Sequence, residues 1–266
     1  MDLGVRGHAY ALIGGSSGMG WETARILAAE GAHLAIISRT PDRIRKPAEQ
    51  LARAHGVRIQ LVVADVTDQA SIAAAIDAVV ADFGVMRGIA VTTHSASTAG
   101  RLADMSDADW DDFYQHVLMG TVRACRAAIP HLTAAGGGHI VVTSAYSSRA
   151  PKVLLLAYAA FKAALNNLVK NLAKTHGRDG IRVNAVAPGY IKTGRYNERV
   201  AALVAEDPRL DSASAERLLL QRAQMKVGLD RIGDAREVAE MIAFLLSERA
   251  AYATGLIANV DGGTDF

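Results

Sequence analysis

A single cysteine, Cys125, stands in a chain of 266 residues. A disulfide framework is therefore impossible and a zinc site built of thiolates is excluded, which fits a reducing compartment. A small core hydrophobe is the expected role of that cysteine. Charge of one sign is also missing, since 29 basic residues against 27 acidic ones leave a formal charge of +2. Such a balance offers no electrostatic footprint for nucleic acid or an anionic membrane. No uncharged stretch reaches the ~18 apolar residues of a membrane span. The opening MDLGVRGHAYALIGG lacks a basic region leading into a clear apolar run and a small-residue cleavage site. The cytoplasm is the expected location. Prolines form no linker, and there is neither an internal repeat nor a low-complexity run, so residues 1–266 are expected to make one domain.

What is present is an alternation. Apolar runs at 8–13, 33–38, 58–64, 88–93, 139–144, 181–186 and 256–260 read as strands, and helical patterns lie between them. One long helix is predicted over 106–135, and 194–228 reads as irregular to helical and rich in charge. Asp68 or Thr67 is the expected cap of the helix over 68–83. Half the residues are hydrophobic, enough to bury a sizeable core. This order predicts an α/β fold: a doubly wound parallel sheet in three layers, with right-handed crossovers and helices on both faces. Ligands of such sheets bind beyond the carboxyl ends of the strands, where strand order reverses.

Between the first strand and the first helix lies Gly14-Gly15-Ser16-Ser17-Gly18-Met19-Gly20. Glycines at 14, 18 and 20 let the backbone turn tightly and let a phosphate approach the amides at the helix N-terminus. Gly14, Ser16, Ser17, Gly18, Met19 and Gly20 are thus candidate contacts of a dinucleotide. The second strand ends in Ser38-Arg39, about where such folds read the adenosine ribose. A carboxylate there would repel a 2′-phosphate, whereas Ser38 is uncharged and Arg39 offers a guanidinium suited to phosphate. The sequence leans to NADP(H) over NAD(H).

Tyr158 and Lys162 stand four apart in a stretch with no glycine or proline, which places both side chains on one helical face. A phenol of pKa about 10 exchanges protons poorly at neutral pH, and a neighbouring ammonium is expected to lower that value.

With these residues assembled, the chain resembles a short-chain dehydrogenase/reductase of the single-domain kind. The resemblance rests on the three glycines, Asp65-Val66, the Tyr158/Lys162 pair, IRVNAVAPGYIKT at 181–193 and RIGDAREVAEMIAFLLSERAAYATGLIANVDGG at 231–263. It implies a Rossmann fold in which Asp65 and Val66 contact the adenine and Pro188, Gly189, Ile191 and Thr193 flank the nicotinamide. By the same resemblance, Tyr158 exchanges the proton of the substrate oxygen, and Lys162 holds the nicotinamide ribose and lowers the pKa of Tyr158. It also implies a homodimer or homotetramer, with the apolar run 153–161 fit for a helix-packed interface.

Three positions depart from the family pattern. Asn-Asn-Ala-Gly is replaced by Thr92-Thr93-His94-Ser95, and the helix asparagine seven residues after Trp110 by Val117. The family's catalytic serine, thirteen residues before the tyrosine, is Ala145, flanked by Ser144, Ser147 and Ser148. A loop one residue longer would let Ser144 donate to the substrate oxygen, so Ser144 is expected as the third catalytic residue. Tyr146 is a candidate for the pocket lining, while His94 and His116 are expected to be structural. The leading expectation is an NADP(H)-dependent oxidoreductase interconverting a ketone and a secondary alcohol, with 190–228 covering the substrate. The alternative is an NADP(H)-binding sensor or partner subunit with little turnover, which the altered positions favour and the intact Tyr158/Lys162 pair opposes.

Overall fold

The computed structural model describes residues 2–93, 100–152, 155–222 and 225–264. Seven parallel strands lie in the order β3-β2-β1-β4-β5-β6-β9. They are β1 (Ala9–Ile13), β2 (His33–Ser38), β3 (Ile59–Val63), β4 (Met86–Val91), β5 (Gly138–Thr143), β6 (Ile181–Pro188) and β9 (Ile257–Val260). Strand order reverses between β1 and β4, so the loops after these two strands part and open a crevice.

The strands are buried on both faces because helices cover both. On one face α3 (Gln69–Phe83), α5 (Gly120–Ala134) and α6 (Leu156–His176) set Ile72, Ile76, Leu132, Leu165 and Val169 against Ala11, Ile13, Ile140 and Val142. On the other, α1 (Gly18–Ala29) and α9 (Ala235–Leu246) set Leu27, Val238, Ile242 and Leu246 against Tyr10, Leu12 and Val141. Neighbours on one strand serve opposite cores, as a period of two requires. Each fully buried Leu or Ile contributes roughly 1.5–3 kcal/mol of transfer free energy. α2 (Arg45–His55) bridges β2 and β3. The cap of α3 is Asp68, whose side chain accepts from the Ala70 amide at 2.9 Å.

Two segments differ from the sequence expectation. The long helix over 106–135 is α4 (Asp107–Phe113), a wide π-turn at Tyr114–Met119, and α5. No glycine or proline lies within Tyr114–Met119 to mark this break, because a π-turn keeps helical dihedrals and only widens the hydrogen-bonding step. The charged segment after β6 resolves into two short strands and two helices. β7 (Ile191–Lys192) pairs with β8 (Gly233–Asp234), and α7 (Gly194–Glu206) packs on α8 (Ser212–Arg222). This helix pair has a small core of its own, formed by Tyr196, Val200, Leu203, Ala215 and Ile232.

Candidate active site

The turn after β1 has a backbone that could hold a phosphate. Gly14 and Gly18 sit at φ +85° and +51°, a region that costs residues with a Cβ. At Gly20 an added Cβ would lie 2.6 Å from both the Gly14 carbonyl oxygen and Thr92 Oγ1, so helix and strand meet closer than any side chain permits. Ser17 begins α1 without capping it, and the first turn holds no acidic residue. The orphan amides over Ser16–Gly20 therefore face outward with no internal carboxylate competing for them. Thr92 fixes the turn from below: its amide donates to the Ile13 carbonyl at 2.9 Å and its hydroxyl at 3.2 Å. The hydroxyl thus ties β4 to β1 at the departure from Asn-Asn-Ala-Gly, while His94 and Ser95 lie outside the described residues.

The next strand ends carry the residues expected at the adenosine side. Ser38 Oγ is buried and has no hydrogen-bond partner, a polar atom waiting for one. Arg39 is exposed and near enough to Asp65 to help depress its pKa. The main cause of that depression is the Thr67 amide, which donates to Asp65 Oδ1 at 2.9 Å beside the Thr67 hydroxyl at 2.8 Å. Val66 packs on Gly120, where a Cβ would come within 3.0 Å. The glycine cradle, the open helix N-terminus and the orphaned Ser38 hydroxyl all fit a dinucleotide.

Beyond β6 the chain closes over this turn. Gly189 packs on Asp261, whose Cα would lie 2.7 Å from an added Cβ, and the Thr193 methyl lies 3.8 Å from where a Cβ on Gly18 would stand. Pro188, Gly189, Ile191 and Thr193 therefore share one edge with the glycine turn. His116 is occupied elsewhere, with Nδ1 3.0 Å from the Asp112 carbonyl.

Tyr158 and Lys162, the expected acid/base pair, both stand on α6. Lys162 is 2% exposed and its Nζ donates to the Thr143 carbonyl at 2.5 Å. The same Nζ lies 5.6 Å from the centre of the Tyr158 ring. Phe113 meets that ring edge-on at 6.3 Å. The sequence predicts a lowered phenol pKa; in the protein alone burial overrides the ammonium. Tyr158 is pushed up to about 12 by burial, with a smaller push from Tyr146. Burial also brings Lys162 down to about 7, so the cation expected to depress the phenol is itself depressed. At neutral pH Tyr158 is a protonated phenol.

Ser144 does not join them as expected. It is 1% exposed, and its hydroxyl donates to Asn166 Oδ1 at 2.6 Å. That proton is committed to α6, and the oxygen has no surface to offer a substrate. Asn166 in turn donates to Ser148 Oγ at 2.8 Å, and the Ser148 hydroxyl donates to the Ala145 carbonyl at 2.6 Å. Asn166, one helical turn after Lys162, was not among the expected site residues because its partners are remote in sequence. Val117 is 1% exposed inside the π-turn, and its carbonyl accepts from the Thr121 hydroxyl at 2.9 Å. The side-chain amide typical of that position has no equivalent here.

Fold and site together define an oxidoreductase that uses a nicotinamide dinucleotide. A family model described as Enoyl-(Acyl carrier protein) reductase matches residues 14–265. The chain is 34% identical over 265 residues to cis-4-hydroxycyclohexanecarboxylate dehydrogenase of Sinomonas cyclohexanicum, covering 97% of this chain and 98% of that one. It is also 34% identical over 255 residues to the A-factor type gamma-butyrolactone 1'-reductase (1S-forming) of Streptomyces virginiae, covering 95% and 93%. Among solved structures, L-sorbose reductase from Gluconobacter frateurii complexed with NADPH and L-sorbose superposes with a TM-score of 0.91 at 29% identity, covering 99% of this chain and 98% of the other. The chain belongs to the short-chain dehydrogenase/reductase family. It is an NAD(P)-dependent oxidoreductase of ketones and alcohols, and among the described residues no helix is long and apolar enough to cross a membrane.

Proposed function

We propose that this chain is an NADP(H)-dependent oxidoreductase that interconverts a small ketone and its secondary alcohol, with Tyr158 as the acid/base. The observation that carries the reading is the buried Lys162 beside the Tyr158 ring, at the sheet edge where the glycine turn opens. Gly14, Ser16, Ser17, Gly18, Met19 and Gly20 would hold the pyrophosphate, Ser38 and Arg39 the 2′-phosphorylated ribose, and Asp65 and Val66 the adenine. Pro188, Gly189, Ile191 and Thr193 would flank the nicotinamide, which supplies or accepts the hydride when bound.

The chain's own work is orientation and one proton. Tyr158 donates a hydrogen bond to the carbonyl oxygen and passes its proton there as the carbon gains hydride, giving the alcohol. Burial keeps that proton in place at neutral pH, since the phenol lies at about 12. Lys162 is anchored on the Thr143 carbonyl and has further N–H groups for the ribose hydroxyls and for resupplying the phenol. In alcohol oxidation the same steps run backward. The helix pair α7–α8 covers the substrate and keeps water out. We place the enzyme in the cytoplasm, on its single cysteine, and as a homodimer or homotetramer, on the family resemblance and the exposed Leu156 at the start of α6.

The testing experiment titrates purified protein with NADPH and NADH, then follows nicotinamide oxidation with L-sorbose, cyclohexanone and acetophenone, and reduction with cis-4-hydroxycyclohexanecarboxylate. Tighter NADPH binding with turnover of any probe supports the reading. NADH binding as tight as NADPH overturns the cofactor preference. Binding without turnover of any probe moves the chain toward the sensor reading.

A further inference from the structure

We propose that Arg123 is a positioning residue, whose guanidinium fastens the adenine wall at Val66 to the wide turn that supports Tyr158. This rests on the oxidoreductase reading above and adds a residue to it. Arg123 lies half-buried on α5 and donates to three oxygens of two segments remote from each other in the chain. Its Nη1 donates to the Val66 carbonyl at 3.2 Å and to the Gln115 carbonyl at 3.4 Å, and its Nη2 donates to Gln115 Oε1 at 2.7 Å.

The Gln115 carbonyl is the one that defines the wide turn. It accepts from the Gly120 amide, five residues on, where a regular α-helix would bond four residues on. Such a step is rare, and Arg123 gives this one an external tie. The Gln115 side chain is held from its other end, where its amide donates to Asp111 Oδ1 at 3.3 Å. A planar guanidinium serves several oxygens in fixed directions, which a compact ammonium does not. Phe113 stands immediately before the turn and meets the Tyr158 ring edge-on at 6.3 Å. The register of the turn therefore sets where that supporting ring stands. On the other side, Val66 packs on Gly120 and is, with Asp65, an adenine contact in the reading above. Van der Waals contact at Gly120 has no direction, whereas the bonds of Arg123 do. Arg123 thus acts through Val66 and Gln115, and makes the cofactor's adenine wall and the tyrosine's support one unit.

The test compares Arg123→Met, Arg123→Lys, Gln115→Leu and the double variant Arg123→Met/Gln115→Leu with the parent. Amide exchange over 114–119 is followed with and without the adenosine half of the cofactor: adenosine 2′,5′-bisphosphate for an NADPH-binding parent, ADP for an NADH-binding one. The adenosine ligand should slow exchange in the parent's turn. In Arg123→Met the turn should exchange faster and no longer respond to the ligand. On whichever of the four probes the parent turns over, kcat at saturating cofactor should fall ~10–100-fold in Arg123→Met, the scale of a misplaced reacting group. Arg123→Lys should recover only part of this, and the double variant should match Arg123→Met alone, because both residues act through one tie. A lowered thermal midpoint with kcat unchanged, full activity in Arg123→Lys, additive losses in the double variant, or a turn whose response to the ligand is the same with and without Arg123 overturns the assignment. A parent that binds neither dinucleotide defeats the oxidoreductase reading instead; exchange without ligand then still decides whether Arg123 holds the turn.

Discussion

Lys162 holds its Nζ 5.6 Å from the centre of the Tyr158 ring, and the two groups answer burial in opposite directions. An unfolded lysine keeps its proton to a pKa of about 10.4, while the folded Lys162 releases it at about 7. Between those values the unfolded chain holds more protons, so this group makes stability rise with pH. Tyr158 acts above that window: folded it keeps its proton to about 12, so its contribution falls as pH climbs past about 10. Urea unfolding from pH 7 to 10 should show stability increasing, and Lys162→Met should flatten the slope. An unchanged slope in the variant would mean that Lys162 is solvated.

Tyr158→Phe should lower kcat by ~10²–10⁴, the usual share of a general acid, with the NADPH Kd nearly unchanged. Because the phenol stays protonated to about 12, ketone reduction should be flat through neutral pH, whereas alcohol oxidation should quicken as pH rises. Steady-state rates in both directions from pH 6 to 10 check this. A reduction rate that collapses between pH 7 and 9 would contradict it.

Arg39→Ala separates a phosphate ligand from a surface charge. Arg39 is exposed beside the orphaned Ser38 hydroxyl. Losing a charge-assisted contact costs about 1.5–3 kcal/mol, so NADPH should bind ~10–100-fold more weakly while NADH changes little. Equal losses, measured by fluorescence titration, would remove Arg39 from the cofactor site.

Gly20→Ala puts one methyl where there is no space for it. The new carbon would sit 2.6 Å from the Gly14 carbonyl oxygen and 2.8 Å from Gly15 Cα, both backbone atoms. Overpacking of this kind costs typically about 1–3 kcal/mol, and here it also reshapes the phosphate turn. Calorimetry should show a lowered thermal midpoint, and NADPH affinity should fall at the same time.

At the opposite end of the sheet, burial brings His139 on β5 down to about 4, with Arg182 and Arg87 adding to the effect and Glu248 opposing it. An unfolded imidazole protonates near 6.5, so between 6.5 and 4 the unfolded chain carries the extra proton. Stability should therefore decline as pH drops through that window, by up to about 3 kcal/mol from this group. His139→Gln should remove that part of the acid slope in denaturant titrations.

The strands and their order of appearance were legible because a two-faced parallel sheet demands continuous apolar runs, and β1, β2 and β5 read that way. That the glycine turn joins β1 to α1 and that Tyr158 and Lys162 share one helix was legible, because both are local patterns of glycine and helical spacing. Ser144 was not. A proximity argument along the chain cannot see Asn166, which reaches the loop from α6 and takes the serine's proton. The phenol pKa was misjudged for a related reason, since spacing on a helix gives the neighbour but not the depth at which both groups lie. Thr92 shows the converse: a residue absent from the expected motif ties β4 to β1 through its side-chain oxygen.

The wide turn at Tyr114–Met119 makes chain length itself a constraint on this site. Upstream of it Trp110 and Phe113 set their rings against Phe161 and Tyr158, and within it Tyr114 also meets Phe161, while downstream Gly120 lets α5 close on Val66. An α-helix advances by about 100° per residue, so deleting a single residue from the turn would produce a more regular helix and rotate the aromatic set by that angle away from Tyr158. Substitutions here are graded in effect, but a one-codon deletion is not: it would keep Trp110, Phe113 and Phe161 in the chain and leave Tyr158 without their support.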